Sequence, residues 1–238
     1  MSENELTREP ILLCDHLSKS YTEPVIDELC LSLPAGKIVG LLGPNGSGKT
    51  TLIKMAAGLL RPTSGAIRIL GREPSAESKG LVAYLPERNA LPEQMTVKEV
   101  LCFLSDMFFD FDTEKAEAML SDLGIPFDKK IKLLSKGMKE KVQLIAVMCR
   151  RARLYLLDEP IGGVDPATRD YVLRTIISAH SPDSTILIST HLIADVEQVL
   201  DSFLFMQNGK VVASGDVKEF CAQEDATLDE IFRRMFRC

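Results

Sequence analysis

Gly43-Pro44-Asn45-Gly46-Ser47-Gly48-Lys49-Thr50 is the stretch on which the reading of this chain turns. It fits G-x-x-x-x-G-K-[ST], the phosphate-binding loop known as Walker A. Ahead of it, Ile38-Val39-Gly40-Leu41-Leu42 is a short apolar run of the kind that forms a buried parallel strand. Behind it, Thr51-Leu52-Ile53-Lys54-Met55-Ala56-Ala57 has the pattern of a helix, stopped by Gly58 with Pro62 just beyond. Strand, glycine loop and helix are the context the motif needs. The glycines let successive N–H groups turn toward one anion, at a helix N-terminus that already favours negative charge. Lys49 then reaches the β- and γ-phosphates of a nucleoside triphosphate, and the Thr50 hydroxyl ligates Mg²⁺.

The rest of the composition narrows the class. The net charge of −6 over 238 residues gives no broad attraction to nucleic acid. The longest uninterrupted apolar run, Leu144 to Cys149, is far short of the roughly 20 residues of a spanning helix. The start, Met1-Ser2-Glu3-Asn4-Glu5, is acidic and polar and carries no secretory signature. Six cysteines (Cys14, Cys30, Cys102, Cys149, Cys221, Cys238) are scattered without a C-x-x-C pair. Most lie in apolar runs and are expected to be small buried hydrophobes rather than zinc ligands or disulfides.

Along the chain, Ile11–Cys14, Leu29–Leu33, Ala66–Gly71 and Leu81–Tyr84 are expected as strands. The period then becomes helical: Val97, Val100, Leu101 and Leu104 share one face, and Ala116, Met119, Leu120 and Leu123 another, with capped starts expected at Thr96 and Thr113. Near-continuous apolar strands return at Leu154–Asp158 and Ser184–Ser189, and Asn208-Gly209 joins two runs as a hairpin. One α/β core (1–87 and 151–238) with a helical insert (88–150) and a helical tail (216–238) follows. In the tail Leu228, Ile231, Phe232, Met235 and Phe236 share a face, away from Arg233, Arg234 and Arg237. Packing on the core or on another subunit is the favoured reading over contact with anionic lipid.

Three further stretches carry chemistry. Leu154-Tyr155-Leu156-Leu157-Asp158-Glu159 has the form of Walker B: a carboxylate at a strand end, beside the phosphate loop, to hold Mg²⁺. Asp158 fits that role, and Glu159 is placed to polarise an attacking water as general base. Ser189-Thr190-His191 ends the next strand, where ligands bind in parallel sheets. Leu134-Ser135-Lys136-Gly137-Met138 opens a helix; a plain N-cap at Ser135 and a second anion site both fit it.

In the order Tyr21, GPNGSGKT, YLPE at 84–87, LSKGM at 134–138, LYLLDEP at 154–160, GGVD at 162–165 and STH at 189–191, the chain resembles an ATP-binding-cassette (ABC) ATPase. More narrowly, it is similar to the separate nucleotide-binding subunits of bacterial ABC exporters, over residues 10 to 215. The resemblance implies a P-loop NTPase core, a mixed sheet flanked by helices with an antiparallel β subdomain, and an inserted helical subdomain. It implies that Tyr21 stacks on adenine and that Gly43, Pro44, Asn45, Gly46, Ser47, Gly48, Lys49, Thr50 and Thr51 hold the triphosphate with Mg²⁺. Glu87 stands in the Q-loop, Ser135, Lys136 and Gly137 in the signature facing the ATP of the opposite subunit, and Asp165 in the D-loop. Glu159 becomes the catalytic base, His191 the switch histidine, and Thr50, Asp158 and Glu87 the metal contacts.

Two departures stand out. Glu87 replaces the usual glutamine, bringing an anion that ligates Mg²⁺ more strongly but lacks a donor. The signature has Lys136 and Met138 where LSGGQ is usual; Lys136 either attracts the γ-phosphate or points to solvent. The expected function is ATP hydrolysis driving export of an unidentified substrate through a separate membrane permease. The ATPase works as a homodimer or as a heterodimer with another ABC ATPase, on the cytoplasmic face of the membrane, without nucleic acid. The rivals are a soluble ABC ATPase acting on ribosomes or DNA, and a regulatory module that holds ATP without turnover.

Overall fold

The computed structural model describes residues 9–236. The acidic start and the tail residues Arg237 and Cys238 lie outside them. Among the described residues the large sheet has six strands, in the order β5 (Val82–Leu85), β6 (Leu154–Asp158), β7 (Thr185–Thr190), β3 (Ile38–Leu42), β8 (Ser202–Gln207) and β9 (Lys210–Asp216). The first five are parallel. Every residue of β3, β6 and β7 is buried, because helices or the smaller sheet cover both faces. Strand β9 returns antiparallel through Asn208 (φ 49°) and Gly209 (φ 77°), the left-handed pair that a two-residue hairpin requires.

The smaller antiparallel sheet has the order β2 (Pro24–Leu33), β1 (Leu12–Ser20), β4 (Ser64–Ile69). Helix α1 (Lys49–Ala56) lies between the two sheets: Leu52, Ile53 and Met55 share one core with Leu12, Leu17 and Ile26 on one side and Leu41, Leu156 and Leu187 on the other. A four-residue helix, α2 (Ala76–Lys79), leads into β5. A second core covers the opposite face of the large sheet. It draws on α6 (Pro166–Ala179), α7 (Ile193–Val196), α8 (Val217–Glu224) and α9 (Leu228–Phe236).

The helical lobe comprises α3 (Val97–Met107), α4 (Thr113–Asp122) and α5 (Lys136–Met148), closed around Val97, Leu101, Leu120, Ile131 and Ile145. Thr96 caps α3 in a reciprocal box with Glu99, as its spacing predicts. At α4 the cap is Asp112, one residue ahead of the expected Thr113: its carboxylate accepts from Lys115 N–H, and Thr113 is the first helical residue. Helix α5 belongs to both units, since Leu144 and Met148 face the large sheet while Val142 and Ile145 face the lobe.

The tail helix packs on the core. Leu228, Ile231 and Phe232 are buried, Phe232 stands edge-on to Phe205 at 5.3 Å between ring centroids, and Arg233 pairs with Asp229 on the outer face. Among the described residues two cysteines depart from the expectation of burial: Cys30 and Cys102 are exposed. Among the described residues no helix is long and apolar enough to cross a membrane.

Candidate functional site

The strand register fixes the site before any side chain is considered. Leu42 of β3 lies opposite Thr190 of β7, and Asp158 of β6 lies opposite Ser189. Three parallel strands therefore end in one layer, and the glycine loop, the Asp158-Glu159 pair and His191 leave from it together.

The loop's shape depends on its glycines at two points. A Cβ on Gly43 would stand 2.3 Å from the Met206 carbonyl, and Gly48, the N-cap of α1, has φ 106°. The loop is also held from outside, where Gly209 N–H in the β8–β9 hairpin donates to Ser47 O at 3.0 Å. Lys49 is buried and folds across its own loop, donating to Gly43 O at 2.8 Å and Pro44 O at 3.1 Å, with Glu159 3.9 Å away. Burial pulls the ammonium below its ordinary pKa, and the charges of Glu159, Asp158 and Glu87 oppose that pull. Lys49 is a cation available to a polyphosphate here, while the carboxylates around it repel one unless a metal ion stands between them.

Asp158 is almost wholly buried. Its Oδ1 accepts from Ser189 Oγ at 2.7 Å and Thr50 Oγ1 at 3.0 Å, while Oδ2 has no partner. Burial raises its pKa, and the two hydroxyl donors lower it in part. An orphaned buried carboxylate oxygen is costly unless a cation or its water shell completes it. Glu159 occupies the left-handed region at φ 50°, held by its N–H to Ser189 O at 3.0 Å. That twist turns its carboxylate back toward the loop, where His191 Nδ1 lies 3.1 Å from Oε1.

Lys49, Glu159 and His191 open on a cleft of about 670 Å³, which Gly43, Pro44 and the buried Asp158 do not line. Asn45, Gly46, Ser47, Gly48, Lys49, Thr50 and Thr51 line it from the loop side, and Glu87, Glu159 and His191 from the strand ends. Lys136 and Glu140 reach it from the lobe. Other expected residues stand apart. Tyr21 is 60% exposed in the turn after β1, its ring 5.3 Å from Lys19 Nζ, and does not line the cleft. Ser135 caps α5, accepting from Met138 N–H, and Asp165 caps α6, accepting from Thr168 N–H. Gly137 lies in the first turn of α5 without lining the cleft. Lys136 is tied back, donating to Gly163 O at 2.9 Å within its own chain.

Two residues that sequence reasoning passed over support the site. Gln143 on α5 is buried and accepts from Ala90 N–H at 2.7 Å while donating to Pro86 O at 3.1 Å, clamping both ends of the Glu87 loop. The available signal was one polar residue between Val142 and Leu144 in an apolar run. Arg150, just past α5, pairs with Asp110 at 2.7 Å, donates to Gly80 O at 2.7 Å, and lies over the Phe108 ring.

Comparison with known proteins accords with this geometry. Residues 26–162 match the family model described as "ABC transporter". The chain is 34% identical to the ABC-type transporter ATP-binding protein EcsA of Bacillus subtilis (strain 168), covering 93% of this chain and 95% of that one. It is 31% identical to the Nod factor export ATP-binding protein I of Rhizobium meliloti, covering 84% of this chain and 62% of that one. A solved ATP binding subunit of an ABC transporter superposes with a TM-score of 0.84 at 30% identity, over 95% of this chain and 99% of that one. A cleft built for a polyphosphate on this fold, with relatives of this kind, makes the chain an ATP-binding subunit of the ABC transporter family, whose members hydrolyse ATP.

Proposed function

We propose that this subunit powers export of a substrate through a separately encoded membrane permease, as one half of a head-to-tail ATPase pair on the cytoplasmic face. The observation that carries the reading is the convergence of Lys49, Glu159, His191 and the free Oδ2 of Asp158 at the ends of β3, β6 and β7. Lys49 exchanges its two carbonyl acceptors for phosphate oxygens when the triphosphate enters. Asp158, Thr50 and Glu87 fit Mg²⁺, which, when bound, neutralises charge on the β- and γ-phosphates. Glu159 accepts the proton of the attacking water, and His191 holds that carboxylate in line. Tyr21 contacts the adenine, and the partner's signature turn closes the site across the pair.

Residues 1–87 and 151–238 form the core on this reading, 88–150 the lobe, and 216–238 the tail. Between core and lobe runs an apolar groove of about 520 Å³ lined by Leu59, Tyr84, Leu91, Leu104, Met107 and Phe108, which suits a helix of the permease. Export is supported by the relative named for Nod factor export.

Two measurements test this. Purified protein is expected to release phosphate in a Mg²⁺-dependent manner, with Lys49→Ala lower by about 100-fold or more; equal rates would sink the site assignment. Affinity capture from native membranes should recover a multi-span protein. Recovery of ribosomes instead would overturn the transport reading.

A further inference from the structure

The ordinary alternation of a strand would put Asp15 and His16 on opposite faces of β1. The register shows otherwise. Cys14 pairs with Leu31 and Leu17 with Leu29, so two residues of β1, Asp15 and His16, stand against one of β2, Cys30. This is a β-bulge, the device that re-aims side chains along a strand. His16 sits at φ 43°, and its N–H reaches the Cys30 sulfur at 3.4 Å. From the other side Gly65 of β4 packs so close that a Cβ there would lie 2.0 Å from His16 O, which fixes the bulge.

The result is a convergent set of ligands. A carboxylate oxygen of Asp15, a ring nitrogen of His16 and the sulfur of Cys30 all lie within 4.8 Å of one another, on an exposed surface. A tetrahedral ion with bonds of about 2.0–2.3 Å holds its ligands about 3.3–3.7 Å apart, a gap that exposed side chains close by small rotations. Among the described residues neither the Asp15 carboxylate nor the His16 imidazole has another hydrogen-bond or ion-pair partner to lose. Cys14, the neighbouring thiol, is buried in the core with Leu12 and Leu17, away from this exposed surface.

We propose that Asp15, His16 and Cys30 bind a borderline-soft divalent transition ion of the zinc class, with water in the fourth position. The sulfur, nitrogen and oxygen donor set selects such an ion over Mg²⁺ or Ca²⁺, which take oxygen alone. The ion joins β1 to β2 at a site that shares no residue with the nucleotide cleft.

The test uses tag-free, nucleotide-free full-length protein titrated with Co²⁺ as a spectroscopic stand-in, followed by displacement with Zn²⁺. One equivalent of Co²⁺ should develop a thiolate-to-metal charge-transfer band that Zn²⁺ removes. Cys30→Ser should abolish the band. His16→Asn, which tolerates the left-handed backbone, should weaken Co²⁺ affinity by 10-fold or more. Cys102→Ser and Asp158→Asn should leave it unchanged, which separates the site from another exposed thiol and from the nucleotide cleft. Absence of the band, its survival in Cys30→Ser, or its loss in Cys102→Ser would each overturn the proposal. Should Cys30→Ser fail to fold, His16→Asn decides the same question.

Discussion

Gln143 of the helical lobe accepts a hydrogen bond from the Ala90 N–H at 2.7 Å, and through it the lobe holds the loop that carries Glu87. With Pro86 O bound by the same amide, one side chain closes the loop at both ends. Gln143→Leu keeps the volume and removes both bonds, leaving a buried N–H and a carbonyl unsatisfied. A loss of about 1–3 kcal/mol is expected. Urea denaturation measures that loss, and amide exchange of residues 87–90 should rise before exchange elsewhere. Unchanged exchange in the loop would count against the clamp.

Asp158 links the site to pH. Its carboxyl pKa is raised in the folded chain, chiefly by burial. The stability it contributes is therefore present below its unfolded pKa and lost as pH rises through the folded value. Asp158→Asn should raise the melting temperature of the nucleotide-free protein near neutral pH. The two proteins should converge below the ordinary carboxylate range of about pH 4. With Mg²⁺ and ATP the order should reverse, because only the wild type gains from the metal. Calorimetry across pH, with and without Mg²⁺-ATP, checks both signs.

Arg150 and Asp110 form a buried pair at the join between lobe and sheet, with side chains 4% and 9% exposed. Arg150→Met should cost about 3–5 kcal/mol, since it strands the Asp110 charge. Adding Asp110→Leu should recover much of it. Denaturant midpoints of the two single variants and the double variant supply the cycle. A double variant no better than Arg150→Met would show that the hydrogen bonds Arg150 donates to Gly80 O and, at 3.3 Å, to Val82 O carry the stability instead.

Gly209 has φ 77°, and a Cβ there would lie 2.5 Å from Val25 O. Gly209→Ala should cost about 1–3 kcal/mol through strain. Because Gly209 N–H also bonds Ser47 O, ATP affinity should fall several-fold. Asn208→Gly, at a neighbouring position that already adopts positive φ, should change neither by much. Equilibrium binding of a fluorescent ATP analogue to the two variants makes the comparison.

What the sequence made legible was local. The five-residue strand Ile38–Leu42 and the turn at Asn208-Gly209 are written in consecutive residues, as apolar runs and left-handed turn chemistry. Asp158, Glu159 and His191 were found because strand ends of a parallel sheet share one edge. Gln143 and Arg150 escaped because their partners lie far along the chain, 57 residues away at Pro86 and 70 at Gly80, and nothing in a single sequence pairs such positions. Asp15, His16 and Cys30 escaped for a related reason: without the bulge, strand alternation separates them. Ser135 was open to two readings; the cap is visible, and the phosphate partner belongs to the proposed pair.

Helix α5 has one further consequence. It begins at the Ser135 cap, carries Gln143 midway, and ends beside Arg150, which is fastened to the sheet edge. Its 13 residues make a rod about 20 Å long with its fulcrum at the anchored end. A tilt of about 10° around that fulcrum swings Ser135 by roughly 3 Å, one hydrogen-bond length, while Gln143 drags the Glu87 loop part of the way. Pressure on the groove beside Phe108 would thus be geared into two displacements, a large one at Ser135 and a smaller one at Glu87, with their ratio fixed by where Gln143 sits along the rod.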